Sequence, residues 1–493
     1  MPRRLSLASL YSLPQGVERP AYDPAGIAVG IVHLGLGAFH RAHQAMYTDA
    51  VMRGDPRWGI CGVSLKTSRA TQPLKAQDGL YTALEKSPAG NRARVIGAVR
   101  EAVFLGAERA QVMARLADPG VHIVSLTVTE KGYCHDPATG HLNVAHPDIV
   151  HDLAHSAEAA SAPGLVVAGL AARRAAGVGP LTVVCCDNLP HNGRVVGSIV
   201  AAYAQAHDPA LAEWIGRNVT FPSTMVDRIV PATTDADVAE VAALLGVADA
   251  APVVFEPFKQ WVIEDAFAAP RPRWEDAGAQ FVADVAPFET MKLRLLNGSH
   301  STLAYLGFLA GHDYIWQASS DPDLARLVLR QMAEEIVPTL AAPPGVDLAA
   351  YCAQLMTRFR NPALPHRTQQ IAMDGSQKLP QRLLGTIRDR KAAGAPIAHL
   401  PLAVAGWIRY ASGVDEQGKP IAVSDPLAPT FARIAAHAAG DPARIAAGFL
   451  DLAQVFGADL VADAAFRASV TGDVVALFRN GVRRTLAAHL AKG

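Results

Sequence analysis

Short apolar runs recur through the first half of the chain, at 30–35, 59–65, 94–99, 122–128 and 181–186. Alanine-rich stretches with helical spacing lie between several of them, notably 109–116 and 164–176. Strands that are apolar on both faces, alternating with helices, predict an α/β domain built on a parallel sheet. The pattern shortens at 219–231, 253–258 and 260–264, which read as further extended segments. Beyond Ala286 and Pro287 helical periodicity takes over, at 323–339, 348–358, 367–372, 402–410 and 473–490. The chain therefore divides into residues 1–286, strand-rich, and residues 287–493, mostly α-helical.

The first apolar run breaks at Gly35-Leu36-Gly37-Ala38-Phe39-His40-Arg41, and helix-compatible sequence follows. A strand, a glycine turn and a helix in that order open a Rossmann-like dinucleotide-binding domain: the glycines let a pyrophosphate approach, and the helix start offers free N–H groups. The third glycine of the G-x-G-x-x-G pattern is replaced by His40. Ligands in such sheets sit outside the carboxyl ends of the strands. Polar groups follow two of those ends: Thr129, Glu130, Lys131 and Gly132 after one, and Asp187, Asn188 and the turn to Gly193 after the other. Asp227 and Arg228, farther on, read as a surface ion pair of small energetic weight.

One helix puts chemistry into an apolar setting. The stretch from Phe288 reads as an α-helix running through Gly307, and it carries Glu289, Lys292, Asn297 and His300 among Met291, Leu295, Leu303 and Leu306. At about 100° per residue, Asn297 falls about 140° and His300 about 80° from Lys292, so the three share an arc. Desolvation disfavours an ammonium, which makes a lysine on such an arc a usable general base. Gly298, unfavourable inside a helix, points to a close approach to the backbone.

Charge and cysteine content narrow the partners. Formal net charge is zero, which gives no electrostatic case for nucleic acid or an anionic membrane. The five cysteines show no C-x-x-C spacing and read as reduced thiols in a cytoplasmic protein. No apolar h-region follows Arg3 and Arg4, and no run of 18 apolar residues occurs. No Cys/His/Glu cluster with zinc-ligand spacing is expected, so no metal is.

These motifs resemble the polyol-specific long-chain dehydrogenases, the mannitol dehydrogenase family, over 30–426. The resemblance is carried by Gly35 to Arg41, Thr129 to Tyr133, the Cys186-Asp-Asn-Leu-Pro-His-Asn-Gly193 run, Met225 to Arg228, and Lys292-x-x-x-x-Asn297-Gly-Ser-His300. It implies a metal-independent, NAD-dependent oxidoreductase, monomeric and acting on an open-chain sugar derivative. It further implies that Lys292 is the general base, that Asn188 and Asn297 bind the reacting oxygen, and that His300 and Asp227 face the substrate. Glu289 matches a glutamate that gates proton exit. Gly35, Gly37, Ala38, Phe39, His40, Arg41, Thr129 and Glu130 are then the cofactor-binding set.

Two departures bear on substrate and cofactor. Where the polyol enzymes carry an arginine this chain has Gln370, and residues 365–382, with 260–265 and 412–418, are more like the fructuronate reductases. Leu189-Pro190-His191, by contrast, is the mannitol dehydrogenase form. Arg367, Lys378 and Arg382 are candidates to hold a substrate carboxylate, since guanidinium and ammonium groups suit that task. Reduction of D-fructuronate to D-mannonate is therefore the favoured activity. Mannitol 2-dehydrogenase or a related polyol (D-arabinitol) dehydrogenase is the alternative, and a non-catalytic dinucleotide sensor a remote one. After the second apolar run comes Lys66-Thr67-Ser68-Arg69, with no carboxylate to hold an adenosine 2′-hydroxyl, which keeps NADP open beside NAD.

Overall fold

The structure is a computed structural model that describes residues 3–136 and 139–491. The chain forms two compact units, Met1–Ala286 and Pro287–Gly493.

In the first unit the strands Val29–Leu34, Gly59–Ser64, Val99–Phe104, Ile123–Leu126, Leu181–Cys185 and Val219–Thr220 make one sheet in which every pairing is parallel. Numbered along the chain, they lie side by side in the order 3-2-1-4-5-6, that of a dinucleotide-binding Rossmann sheet. Their residues are almost all buried because both faces are covered. On one face Val32, Leu34 and Val124 pack with the helices Leu105–Leu116, Ala162–Ala175 and Asn192–His207. On the other, Ile31, Ile60 and Ile123 pack with Tyr47, Trp58, Trp261 and Trp274.

The run at 94–99 is not the third strand of this sheet. Arg92–Ile96 pairs antiparallel with Tyr81–Glu85 in a separate three-stranded sheet, and Val99–Phe104 lies at the edge of the main one. Its Arg100 and Glu101 hid it from an apolar-run reading; Glu101 is held by Arg115 of the next helix, with Nε donating over 3.0 Å. A third sheet joins Thr224–Asp227, Gln260–Glu264 and Gln280–Val282.

The second unit is helical around one core that includes Leu295, Leu303, Leu306, Leu383, Val404 and Trp407. The expected helix at 288–307 is helical throughout but not uniform. Ala286–Met291 is α-helical, Lys292–Gly298 is π-helical, and Ser299–Leu309 is α-helical again. The helix expected over 323–339 likewise turns π-helical, at Gln331–Ile336, and a third π segment is Pro380–Leu384. The first π segment packs against both others. No helix among the described residues is long and apolar enough to cross a membrane.

Candidate active site

The first unit places its polar groups where the strand order reverses, at the carboxyl ends of Val29–Leu34 and Ile123–Leu126. Gly35 takes φ +101° there, and a Cβ on it would collide with the Thr127 carbonyl. Only glycine satisfies both demands. A Cβ on Gly37 would meet nothing nearer than the Gly35 oxygen at 3.7 Å, and the helix Ala38–Ala42 starts on Gly37 without a side-chain cap. An open turn over uncapped N–H groups fits a dinucleotide pyrophosphate. Gly35, Gly37, Ala38 and Phe39 are partly exposed on this turn.

His40 and Arg41, expected beside them, turn inward instead. The His40 ring stacks on His33 at 3.4 Å, and burial, reinforced by the neighbouring His33 and Arg41, holds it neutral, well below the usual histidine range. Arg41 donates to the carbonyl of Ala251, and to that of Gly37 over 3.4 Å, while Tyr81 donates to the Arg41 carbonyl at 2.6 Å. Both side chains shape the turn from beneath.

Thr129 and Glu130 follow the fourth strand, Thr129 exposed and Glu130 partly so. Thr129 has φ 66° and ψ 161°, a conformation that is close to glycine-only and costs about 1–3 kcal/mol in other residues. Asp187 answers that cost. Its carboxylate accepts from Val128 N at 2.8 Å, Thr129 N at 3.2 Å and the Tyr133 hydroxyl at 2.6 Å. Burial raises its pKa, against the pull of those hydrogen bonds. Asn188, next in the chain, is exposed. The amide that organises this loop is Asn192: it donates to Cys185 O, Asp187 O and Thr224 O at 3.2, 3.0 and 2.9 Å, and accepts from Thr224 N at 2.9 Å. The sequence pointed to Asp187 only as one of the polar groups after the strand and gave Asn192 no role, although both stand in the motif that carried the resemblance.

Asp227 and Arg228 are not a surface pair: they are 3% and 7% exposed. Arg228 donates to Ala42 O at 2.7 Å and Glu256 O at 3.2 Å, with its guanidinium 3.8 Å from the centre of the Phe255 ring. Asp227 ends its strand opposite Gln260, whose carbonyl lies 2.9 Å from His43 Nε2.

In the second unit Glu289, Lys292, Asn297 and His300 are all buried, Lys292 at 5% exposure. The π-helical stretch matters to their geometry. Its wider turn, with i→i+5 pairing, leaves residues five apart closer in angle than the about 140° of an α-helix, and Lys292 and Asn297 are five apart. His300 lies 5.1 Å from the Phe359 ring and 5.0 Å from that of His366, centre to centre. Burial, then the charges of His366, Arg382, Arg358 and Lys378, keep it neutral, well below the usual histidine range. Its Nε2 has no hydrogen-bond partner among the described residues. His366 is likewise pushed down, to about 4, by burial and by Lys378. Neither His366 nor Arg358 was expected from the sequence, and no spacing to His300 would have pointed to them.

The three basic candidates separate. Arg382 donates to Ser301 Oγ at 3.1 Å and Lys378 to Ile371 O at 3.4 Å, and both act electrostatically on His300. Arg367 is exposed, its guanidinium 5.5 Å from the centre of the Tyr314 ring. Gln370 is exposed as well.

Cys134, His146 and Asp148 place one possible metal-ligand atom each within 4.8 Å of one another, a grouping the sequence spacing did not suggest. His146 Nδ1 already accepts from Asp148 N at 3.2 Å as a helix cap, and burial raises the Cys134 thiol to about 11. As arranged, the group suits a helix start better than a cation.

Comparison with known proteins agrees with this architecture. The mannitol dehydrogenase Rossmann domain matches residues 29–276, and the mannitol dehydrogenase C-terminal domain matches 284–478. D-mannonate oxidoreductase of Escherichia coli K12 is 48% identical over 477 residues, covering 96% of this chain and 98% of its own. Mannitol 2-dehydrogenase of Phaeosphaeria nodorum is 40% identical over 501 residues, covering 99% of this chain and 87% of its own. The ternary complex of Pseudomonas fluorescens mannitol 2-dehydrogenase with NAD and D-mannitol superposes with a TM-score of 0.92 at 39% identity, covering 99% of this chain and all of that one. With a Rossmann sheet followed by a helical unit of matching sequence and shape, the chain belongs to the mannitol dehydrogenase family of oxidoreductases, dehydrogenases acting on CH–OH groups.

Proposed function

We propose that this enzyme interconverts D-fructuronate and D-mannonate with NAD, without a metal, as a cytoplasmic monomer. The observation that supports the substrate assignment is the cationic field beside His300, where Arg382 donates to Ser301 Oγ at 3.1 Å and Lys378 to Ile371 O at 3.4 Å. A neutral ketose offers such a field only hydroxyl and carbonyl acceptors, whereas a hexuronate brings a carboxylate that a guanidinium and an ammonium hold better. The D-mannonate oxidoreductase relative, at 48% identity, supports the same choice. Gln370, where the polyol enzymes have arginine, agrees with it.

A bound nicotinamide supplies or accepts the hydride at the carbinol carbon. The chain's own residues manage the proton and the oxygen. Lys292, buried, takes the hydroxyl proton during oxidation and returns it during reduction. The Asn297 amide donates to the same oxygen, a role in which one well-placed donor is worth about 3 kcal/mol, and Asn188 is assigned the same task. His300, neutral and with Nε2 available, binds a neighbouring hydroxyl, and Asp227 another. Glu289, one helical turn before Lys292, passes the proton onward. Backbone groups from Gly35 to Phe39, with Thr129 and Glu130, hold the dinucleotide.

NAD is chosen because the structural relative is a complex with NAD. The exposed Lys66 and Arg69 after the second strand favour NADP as a second reading, since they could meet a 2′-phosphate. Absorbance at 340 nm, followed with NADH or NADPH against D-fructuronate and D-fructose, tests cofactor and substrate together. A kcat/KM for fructose equal to or above that for fructuronate would return the protein to the mannitol 2-dehydrogenases.

A further inference from the structure

At the carboxyl edge of the Rossmann sheet three loops are wired to one another. The Gly35 turn is tied to the fourth strand's end, where Thr127 N donates to Leu34 O at 2.9 Å and Thr127 Oγ1 to Gly35 O at 2.8 Å. Two residues on, the chain enters the Thr129 conformation that threonine adopts only under constraint. That constraint comes from the fifth strand's loop, through the Asp187 carboxylate and its bonds from Val128 N, Thr129 N and the Tyr133 hydroxyl. The Asp187 backbone is itself fixed by Asn192, and Cys186 N donates to Leu126 O at 2.9 Å. Gly132 closes the small loop, since a Cβ there would lie 2.9 Å from the Val128 side chain.

We infer that Asp187 is a positioning residue for dinucleotide binding: its carboxylate is taken up by the loop's own donors, and through them it holds Thr129 and Glu130 in the one conformation that presents them to the cofactor. This rests on the reading that the loop at 129–130 contacts the dinucleotide. The three donors converge on both carboxylate oxygens, so the role needs an acceptor on each side. Asparagine keeps the size but turns an N–H₂ toward one set of N–H or O–H donors. With that clash the loop relaxes out of the Thr129 conformation, and the preformed site is lost before any ligand arrives.

The test is a titration of the purified full-length protein with NADH, and separately NADPH, followed by nucleotide fluorescence, for wild type, Asp187→Asn and Tyr133→Phe. Tyr133→Phe removes a single bond to Asp187 and guards against an Asp187→Asn that fails to fold. The expected result is a Kd raised tenfold or more in Asp187→Asn and about threefold in Tyr133→Phe, with the KM for dinucleotide rising more than kcat falls. Hydrogen exchange on the ligand-free protein should show lost protection at Val128 and Thr129 in both variants. Wild-type binding in the same titration keeps the dinucleotide reading separate: if wild type binds and both variants bind equally well, the Asp187 role is overturned alone. If wild type binds neither nucleotide, the dinucleotide reading and the inference resting on it fall together.

Discussion

The carbonyl oxygen of Arg382 lies 2.7 Å from where a Cβ on Gly298 would be. Gly298 ends the π-helical stretch that begins at Lys292, and Arg382 belongs to the π segment Pro380–Leu384 packed against it. Two helices that carry candidate substrate contacts thus meet backbone to backbone, at a spot with no room for a methyl group. Gly298→Ala should destabilise the protein by about 1–3 kcal/mol, the usual cost of overpacking, although alanine is the better helix former. It should also lower kcat, because Asn297 and His300 move with that backbone. Urea unfolding with an unchanged midpoint would show that the contact yields at no cost.

Lys292→Ala removes the assigned base. General acid–base catalysis contributes about 10²–10⁴-fold, so kcat should fall by that order while the far-ultraviolet circular dichroism stays that of wild type. Turnover near wild type between pH 7 and 8 in a folded variant would end the assignment.

Acid stability follows from the buried histidines. His33 and His43 are lowered to about 3 and His366 to about 4, in each case first by burial, from an ordinary value of 6.5. Below 6.5 the unfolded chain gains protons that these rings refuse in the folded state. Their stabilising contribution is therefore whole above 6.5 and is lost as pH falls toward the folded values, at up to about 1.4 kcal/mol per pH unit for each ring. Urea midpoints at pH 7.5, 6 and 5 should drop progressively, ahead of the range where most carboxylates titrate. A midpoint flat from 7.5 to 5 would contradict the burial.

The proposed metal independence has a direct check. Dialysis against a chelator should leave kcat and KM unchanged, and a loss restored by added zinc would make a cation site of Cys134, His146 and Asp148.

Much of the fold was legible because parallel strands buried on both faces must be apolar runs, as 122–128 and 181–186 are; the Gly35 turn alone fits any strand-turn-helix and gained weight only from the runs that follow it. Val99–Phe104 escaped because an edge strand can carry Arg100 and Glu101 once a helix supplies Arg115. The π turns left no trace beyond Gly298, since i→i+5 pairing depends on packing against the other helices rather than on local propensity. Arg228 looked like a surface charge because sequence does not reveal that Ala42 O, Glu256 O and the Phe255 ring await its guanidinium. The neighbours of His300 come from segments about 60 to 80 residues farther along, a distance no periodicity spans.

The proposed substrate carboxylate is the most exacting test, and the three candidate cations differ in their surroundings. Of the three basic residues first considered, Lys378 and Arg382 act on His300, while Arg367 is exposed beside Tyr314. Losing one charge-assisted hydrogen bond removes about 1.5–3 kcal/mol, and each 1.4 kcal/mol is about tenfold in affinity. Lys378→Ala and Arg382→Ala should therefore each raise the KM for D-fructuronate by about ten- to a hundredfold. Against D-fructose, which has no carboxylate to lose, the same variants should change KM by less than about threefold. Arg367→Ala, lying outside that field, should change neither by more than about threefold. Initial rates for the three variants on both substrates decide the matter: an equal loss on fructose and fructuronate would mean that Lys378 and Arg382 shape the site without reading the acid, and a large effect confined to Arg367→Ala would move the carboxylate to the Tyr314 side.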